Sequence, residues 1–535
     1  MMKKILSVLL LFVLMVVKVL AQDVNLQGDI TSNTTLTSNN TYLLKGFVRV
    51  QSGATLTIEA GTKIYGENLS QGALIIKPGG KIIAMGTELN PIVFTSEYTK
   101  PGSLRSPYYG DWGGIILLGN AKINVPGGTA SIEGPGDSYG GNDDADNSGT
   151  MQYVRIEYPG IAFSLNNEIN GLTFGGVGSG TVIDHIQVSY SGDDSYEWFG
   201  GTVNCKNLVA YRGWDDDFDT DFGYSGKLQF LLSVRDPEIA DQSQSNGFES
   251  DNDGSGSLNT PRTSPTWWNV TLIGPKANSS TTINSLYRRG MHLRRSSLNK
   301  ISNALIMGWP RGIVIDGTNT VQATINGNMW VNNSIVSGWT SAAIDTANAG
   351  NLNFTPTTWF TNSSGRTYAN NSDVLLTDPF NLTNPNVTPL TGSPVLTGGA
   401  TPPNDGFFDA TATFPGALSN DPAKNWLANW VTYPQITTDV DDEELGIVTE
   451  FKLEQNFPNP FNPSTVISFS VPEASNVKLS VYNVLGQEVA VLVNEFVNAG
   501  RYSKSFNAKD LSSGLYIYTI EAGSVSISKK MTLLK

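Results

Sequence analysis

LTFGG (Leu172–Gly176), WFGG (Trp198–Gly201), DFG (Asp221–Gly223) and NGF (Asn246–Phe248) set Phe174, Phe199, Phe222 and Phe248 at intervals of 25, 23 and 26 residues. Such an interval suits one coil of a parallel β-helix, in which successive rungs stack equivalent positions into apolar columns inside and polar columns outside. The same text carries the short apolar runs Val154-Arg155-Ile156, Ile186-Gln187-Val188, Leu208-Val209-Ala210 and Phe230-Leu231-Leu232, with Tyr158, Tyr190 and Tyr211 just beyond the first three. Nothing here keeps a helical period over three turns. A string of separate β-sandwich domains is the competing arrangement, but it would not repeat a Phe-Gly step at so even a spacing.

Upstream, GATLTIEAGTKIYG (Gly53 to Gly66) is echoed by GALIIKPGGKIIAMG (Gly72 to Gly86), each a strand, a glycine turn and a second strand. Downstream, WWNVTLIGP, KISNALIMGW, GIVIDG and MWVNNSIVSGW read as further coils, irregular and loop-rich after about residue 260. The Pro- and Asn-rich text from Thr355 to Pro403 is expected to pack along the solenoid or cap its end, because an open last coil would expose a sheet edge. The expected division is residues 1–21 as a secretory signal, 22–430 as the β-helix region, 431–450 as an acidic linker carrying Asp439 to Glu444, and 451–535 as a second, smaller unit.

That last unit reads FKLEQNFPNPFNPSTVISF, then VKLSVYNVLGQEVAVLV, AGRYSKSFNA, LSSGLYIYTI and KKMTLLK. Apolar and polar residues alternate at the strand period, Pro458, Pro460 and Pro463 fix φ, and glycines such as Gly486 free the corners. A compact antiparallel sandwich of about six strands follows. The NFPNPFNPST opening, the VYNVLGQ turn and the KKMTLLK tail resemble the type IX secretion C-terminal sorting domain (Por secretion tail) of Bacteroidota-type proteins. The resemblance implies passage into the periplasm and then, handled by the type IX machinery through residues 451–535, across the outer membrane to the surface or medium, with the tail cleaved on the way. The other end agrees: Lys3 and Lys4, an apolar run Ile5 to Val17, and Val19-Leu20-Ala21 before Gln22 form a secretory signal, the run being shorter than the roughly 20 residues a spanning helix needs.

Composition narrows the chemistry. The 535 residues carry one cysteine, two histidines and a formal net charge of -14. Cys205 has no partner for a disulfide, a zinc cluster lacks its nitrogen and sulfur ligands, and an acidic chain does not suit nucleic acid. The acidic residues recur once per coil: Asp193, Asp194 and Glu197; Asp215, Asp216, Asp217, Asp219 and Asp221; Glu249, Asp251 and Asp253. If Asp217 to Phe222 is extended, Asp217, Asp219 and Asp221 share one face while Phe218 and Phe222 turn inward. Like charges so placed face water, bind protons or hold a cation. Calcium, a hard ion that takes several oxygens, is the expected cofactor, with Asp193, Asp194, Asp217, Asp219, Asp221, Glu249, Asp251 and Asp253 as candidate ligands; solvated turns are the alternative. Leu228 and Thr260 stand where an EF-hand needs an acid.

The central region resembles the right-handed, pectin-lyase-like parallel β-helix proteins, so the expected fold is all-β: a right-handed parallel β-helix solenoid followed by a small antiparallel β-sandwich. Val182-Ile183-Asp184-His185 is similar to a pectate-lyase phrase and Gly192-Asp193-Asp194 to a polygalacturonase one, but the latter family's Gly-His-Gly and Arg-Ile-Lys are absent. A lyase would need calcium and a basic residue, for which Arg212 and Arg235 are the candidates; arginines of an acidic solenoid otherwise pair across rungs. His185 is expected to pack between coils. Trp198 and Trp214 adjoin the acidic stretches and are candidate sugar-stacking rings. The favoured expectation is a secreted or surface-attached protein that binds extracellular glycan or serves adhesion, with calcium stabilising the coils. The alternative is a calcium-dependent lyase or a hydrolase acting on an acidic polysaccharide.

Overall fold

The computed structural model describes residues 23–103, 105–164, 167–436, 451–472, 474–497, 500–523 and 525–534, so the expected secretory signal and most of the expected acidic linker lie outside the described residues. From Asp23 to Tyr368 the chain winds as a parallel β-helix of three sheets. One sheet aligns Met151, Ile183, Cys205, Leu228, Trp267 and Ile301; a second aligns Val154, Ile186, Leu208, Leu231, Val270 and Ala304. The third aligns Ile115, Leu172, Tyr196, Phe218, Phe248, Met291 and Ile313. All of these side chains lie in one continuous core. Strand alternation sends every second residue inward, and parallel pairing repeats the choice rung after rung, each buried side chain contributing about 1.5–3 kcal/mol.

The first two sheets are halves of single long strands, bent at one residue per coil. Tyr153, His185, Asn207, Phe230, Asn269, Asn303 and Asn333 occupy that bend with φ between 49° and 62°. Asparagine tolerates this left-handed conformation better than most residues. Phe230 therefore stands at the corner, and Leu231 rather than Phe230 begins the strand segment in register with Leu208.

The repeated phenylalanines are not equivalent. Phe174 aligns with Trp198, Phe199 with Gly175 and Asp221, and Phe248 with Phe218. Phe199 and Phe222 stack at 5.9 Å on the outside, under the excursion that carries Ile123, Ile132 and Tyr139, so Phe222 is not an inward residue. The loops between the sheets differ in length from coil to coil, and even spacing in sequence does not preserve register. At the Gly201 corner, φ is +83° and a Cβ would stand 2.4 Å from the Val177 carbonyl, so only glycine fits.

Two further pieces finish the solenoid. The helix Pro356–Asn362 sends Phe360 into the core at the downstream end. Residues 374–436 then run back outside the second sheet over Tyr190, Tyr211, Val234 and Ile273. The C-terminal unit is a separate antiparallel sandwich: Lys452–Leu453, Ser464–Val471 and Gly500–Asn507 form one sheet, and Ser475–Asn483, Glu488–Val497, Gly514–Ala522 and Val525–Leu533 the other, around Ile467, Leu479, Tyr518 and Met531. Among the described residues no helix is long and apolar enough to cross a membrane.

A candidate acidic cation site on the third sheet

The outward column of the third sheet changes chemistry along the axis: Ile116, Thr173, Glu197, Asp219, Glu249, His292 and Val314. The turn that feeds this sheet adds Asp193 and Asp194 in one coil and Asp215 and Asp216 in the next, stacked because Tyr196 stands opposite Phe218. Two hydrogen bonds between coils hold the stack: the Asp216 amide donates to the Asp194 side chain at Oδ1, 2.8 Å, and the Ser195 amide to the Asp216 carbonyl at 2.9 Å.

Two groups of three carboxylates converge here, Asp193–Asp194–Asp215 and Asp194–Glu197–Asp219, each with its oxygens within 4.8 Å of one another. None of these five residues makes an ion pair with a described Lys, Arg or His. Asn170 donates to Glu197, and Ser243 to Asp215. Burial, then the charges of their acidic neighbours, push all five well above the ordinary carboxylate range: Glu168, Asp241 and Glu133 act on Asp193; Asp193 and Asp216 on Asp194; Glu133 and Asp193 on Glu197; Asp216 and Asp241 on Asp215; Glu197 and Glu249 on Asp219.

The other acidic residues have protein partners. Asp217 is fully buried and pairs at 2.9 Å with Arg235, itself 1 % exposed and also hydrogen-bonded to Tyr287. Glu249 and Asp251 are held by Arg294, Asp251 also by Arg295 at 2.7 Å, and Glu249 by His292 at 3.4 Å. Against the burial that would raise it, the His292 hydrogen bond and Arg294 hold the Glu249 carboxyl below its usual value. Asp253 Oδ1 accepts the amides of Ser255 and Ser257, each at 3.0 Å, and orders its own turn. Asp221 accepts the Phe222 amide at 2.6 Å, two residues along the strand from Asp219.

Of the expected ligands, then, Asp193, Asp194 and Asp219 are brought together. Asp217, Glu249, Asp251 and Asp253 are occupied elsewhere, and Asp217 does not share a face with Asp219 and Asp221 because it precedes the strand Phe218–Asp221. Glu197 and Asp215 complete the site; both stand in the same acidic phrases. Their membership could have been read only from knowing which rungs lie side by side.

The other candidates separate in the same way. Arg235 is enclosed by Asp217, Tyr287 and the carbonyls of Trp214 and Asp215, so it cannot reach a polymer on the surface. Arg212 pairs with Asp236 and lies over the Tyr190 ring at 5.1 Å. Trp198 is not a surface ring: it is fully buried, stacked between Phe174 at 5.3 Å and Tyr224 at 5.5 Å. Trp214 does line the cleft beside Asp193 and Asp215, braced edge-on by Tyr109 at 5.6 Å. His185 stacks on Tyr153 at 4.3 Å with Trp430 at its edge.

Residues 28–374 match the pectate-lyase-like β-helix domain family, and residues 455–533 match the secretion system C-terminal sorting domain. No curated protein matches the chain. Among solved structures, the enzymatically active domain of tailspike protein 2 of bacteriophage CBA120 aligns at 13 % identity over 92 % of this chain and 72 % of that one, with a TM-score of 0.21, too loose a likeness to carry an argument. The sorting domain marks the protein for the type IX system and for the cell surface or extracellular space. The parallel three-sheet coil and its matched span place this chain in the family of pectate-lyase-like β-helix domains, exported by means of a C-terminal sorting domain.

Proposed function

We propose that this protein binds extracellular glycan, as a secreted or surface-held adhesive scaffold, through the acidic cleft beside Trp214, with calcium as the counter-ion of the cleft's carboxylates. One observation carries the reading: Asp193, Asp194, Glu197, Asp215 and Asp219 crowd together without a basic partner, while the acidic residues farther along the same face are matched by Arg294, Arg295 and His292. Uncompensated charge at that density is expensive unless a cation or protons share it. Calcium suits an all-oxygen donor set and keeps coordination positions that sugar hydroxyls or carboxylates can fill, while Trp214 offers a ring to a pyranose face. A binder is favoured over a lyase because Arg212 and Arg235 are already committed to Asp236 and Asp217.

The test is retention of the full chain on immobilised acidic and neutral polysaccharides, with calcium and with chelator. Calcium-dependent retention that weakens about tenfold or more in Trp214→Ala supports the reading. Equal migration on every polysaccharide sinks it. Ultraviolet absorbance from unsaturated product would replace the binder with a lyase.

A further inference from the structure

We propose that the cleft holds two divalent cations that share Asp194, an inner one wrapped by protein oxygens and an outer one open to ligand. The inference deepens the calcium reading and rests on it. Asp194 is the one residue common to both carboxylate groups. On its inner side stand Glu197 and Asp219, neighbours in register on the third sheet. Asp194 and Glu197 are only 7 % and 8 % exposed.

A second observation points to a ligand at the inner position. Thr173 is 2 % exposed, its hydroxyl has no hydrogen-bond partner, and it stands directly opposite Glu197 in the outward column, on the face that carries the carboxylates. Asp219 Oδ1 is likewise buried without a partner. Buried polar atoms in folded proteins are satisfied as a rule, and an ion between Thr173, Glu197, Asp219 and Asp194 would satisfy both. The donors there, carboxylates and a neutral hydroxyl, are those of a hard cation.

The outer group differs in its place in the cleft. Asp193 and Asp215 are partly exposed and line the cleft next to Trp214; Asp219 is also partly exposed but lies outside the cleft lining, and Glu197 reaches that lining only as a buried side chain. An ion on Asp193, Asp194 and Asp215 would therefore keep positions free for water or for a glycan oxygen. The charge balance also calls for two ions: one divalent cation offsets two of five carboxylates, two offset four. A bridging carboxylate between ions a few ångströms apart is a common arrangement in two-metal sites.

The experiment is calcium titration of the chelator-treated full chain by isothermal calorimetry. Two ions per chain are expected, one at least tenfold tighter than the other. Asp215→Asn should remove the weaker site alone, Asp219→Asn should weaken the tighter one at least tenfold, and Asp194→Asn should abolish both, with circular dichroism confirming that each variant folds. Terbium luminescence on the unaltered chain needs no variant: two lifetimes are expected, the longer from an ion with few bound waters. A single ion per chain, or one terbium lifetime, overturns the pairing and leaves calcium binding standing. No calcium bound at all overturns the calcium reading itself, and glycan retention in chelator then shows whether binding survives without it.

Discussion

Asp216 and Asp221 titrate far from where an aspartate ordinarily does. Burial, then Glu249, push Asp216 up to about 7, and burial, then Asp251, push Asp221 up to about 7. An unfolded aspartate titrates near 3.9, so between about pH 4 and 7 the folded chain holds more protons than the unfolded one. The stability this contributes is fully present below pH 4 and is lost as the pH rises through 7. The chelated protein should melt lower at pH 8 than at pH 5, and calcium should restore more of the loss at pH 8; a melting temperature that stays flat or rises over that range in chelator contradicts this. Asp217 and Arg235 make the opposite case, a buried pair whose partners satisfy each other. Arg235→Met should cost about 3–5 kcal/mol in denaturant unfolding, because Asp217 is left charged and alone, and Asp217→Asn added to it should recover part of that. Which carboxylate is bare and which is paired could not be read in the phrase Asp215-Asp216-Asp217, since Arg235 reaches Asp217 from the next coil.

The returning segment is fastened by side-chain amides that imitate backbone. Gln187 accepts the Thr432 amide at 3.1 Å and donates to its carbonyl at 2.6 Å; Gln229 accepts the Asp409 amide at 2.7 Å and donates to its carbonyl at 3.3 Å. Asn303 does the same with Ala400, at 2.8 and 2.9 Å, and Asn269 donates to the Phe414 carbonyl at 2.7 Å. Gln229, Asn269 and Asn303 stand on successive coils, and Gln187 two coils before Gln229, so the segment ties rungs together along the axis. Gln229→Ala leaves the Asp409 amide without a partner, while the Asp409 carbonyl keeps the Ala412 amide at 3.2 Å; it should cost about 1–3 kcal/mol and speed hydrogen exchange of the Asp409 amide while leaving the inner sheet amides unchanged. Asn303→Ala removes its clip and also a residue suited to φ of 58°, so it should cost more than Gln229→Ala in the same unfolding assay. The bend column was invisible in sequence because Tyr153, His185, Phe230 and the asparagines share a backbone angle and no side-chain chemistry.

At the scale of the molecule the solenoid and the sandwich have separate cores, one built on Leu172, Tyr196 and Phe218 and the other on Ile467, Tyr518 and Met531. A chain ending before Phe451 should keep the solenoid's melting temperature and its calcium binding within error, yet fail to leave the cell; immunoblots of medium and periplasm check the second half. Export and strand class were legible in sequence because they are local: the NFPNPFNPST, VYNVLGQ and KKMTLLK phrases sit within one short unit, and period-two alternation needs only neighbouring residues. Coiling was legible too, since near-equal intervals betray stacked rungs even when the repeated phenylalanines prove inequivalent. The cleft was legible only in part. Asp193, Asp194 and Asp219 stood out as repeated acids, but Glu197 and Asp215 joined them, and Asp217, Glu249, Asp251 and Asp253 left them, through contacts between coils whose register depends on loop length. By itself, then, the sequence determined an exported all-β solenoid rich in carboxylates. Only the tertiary structure decided which carboxylates meet and which find an arginine, because charge compensation acts across rungs that the chain reaches only after a full turn.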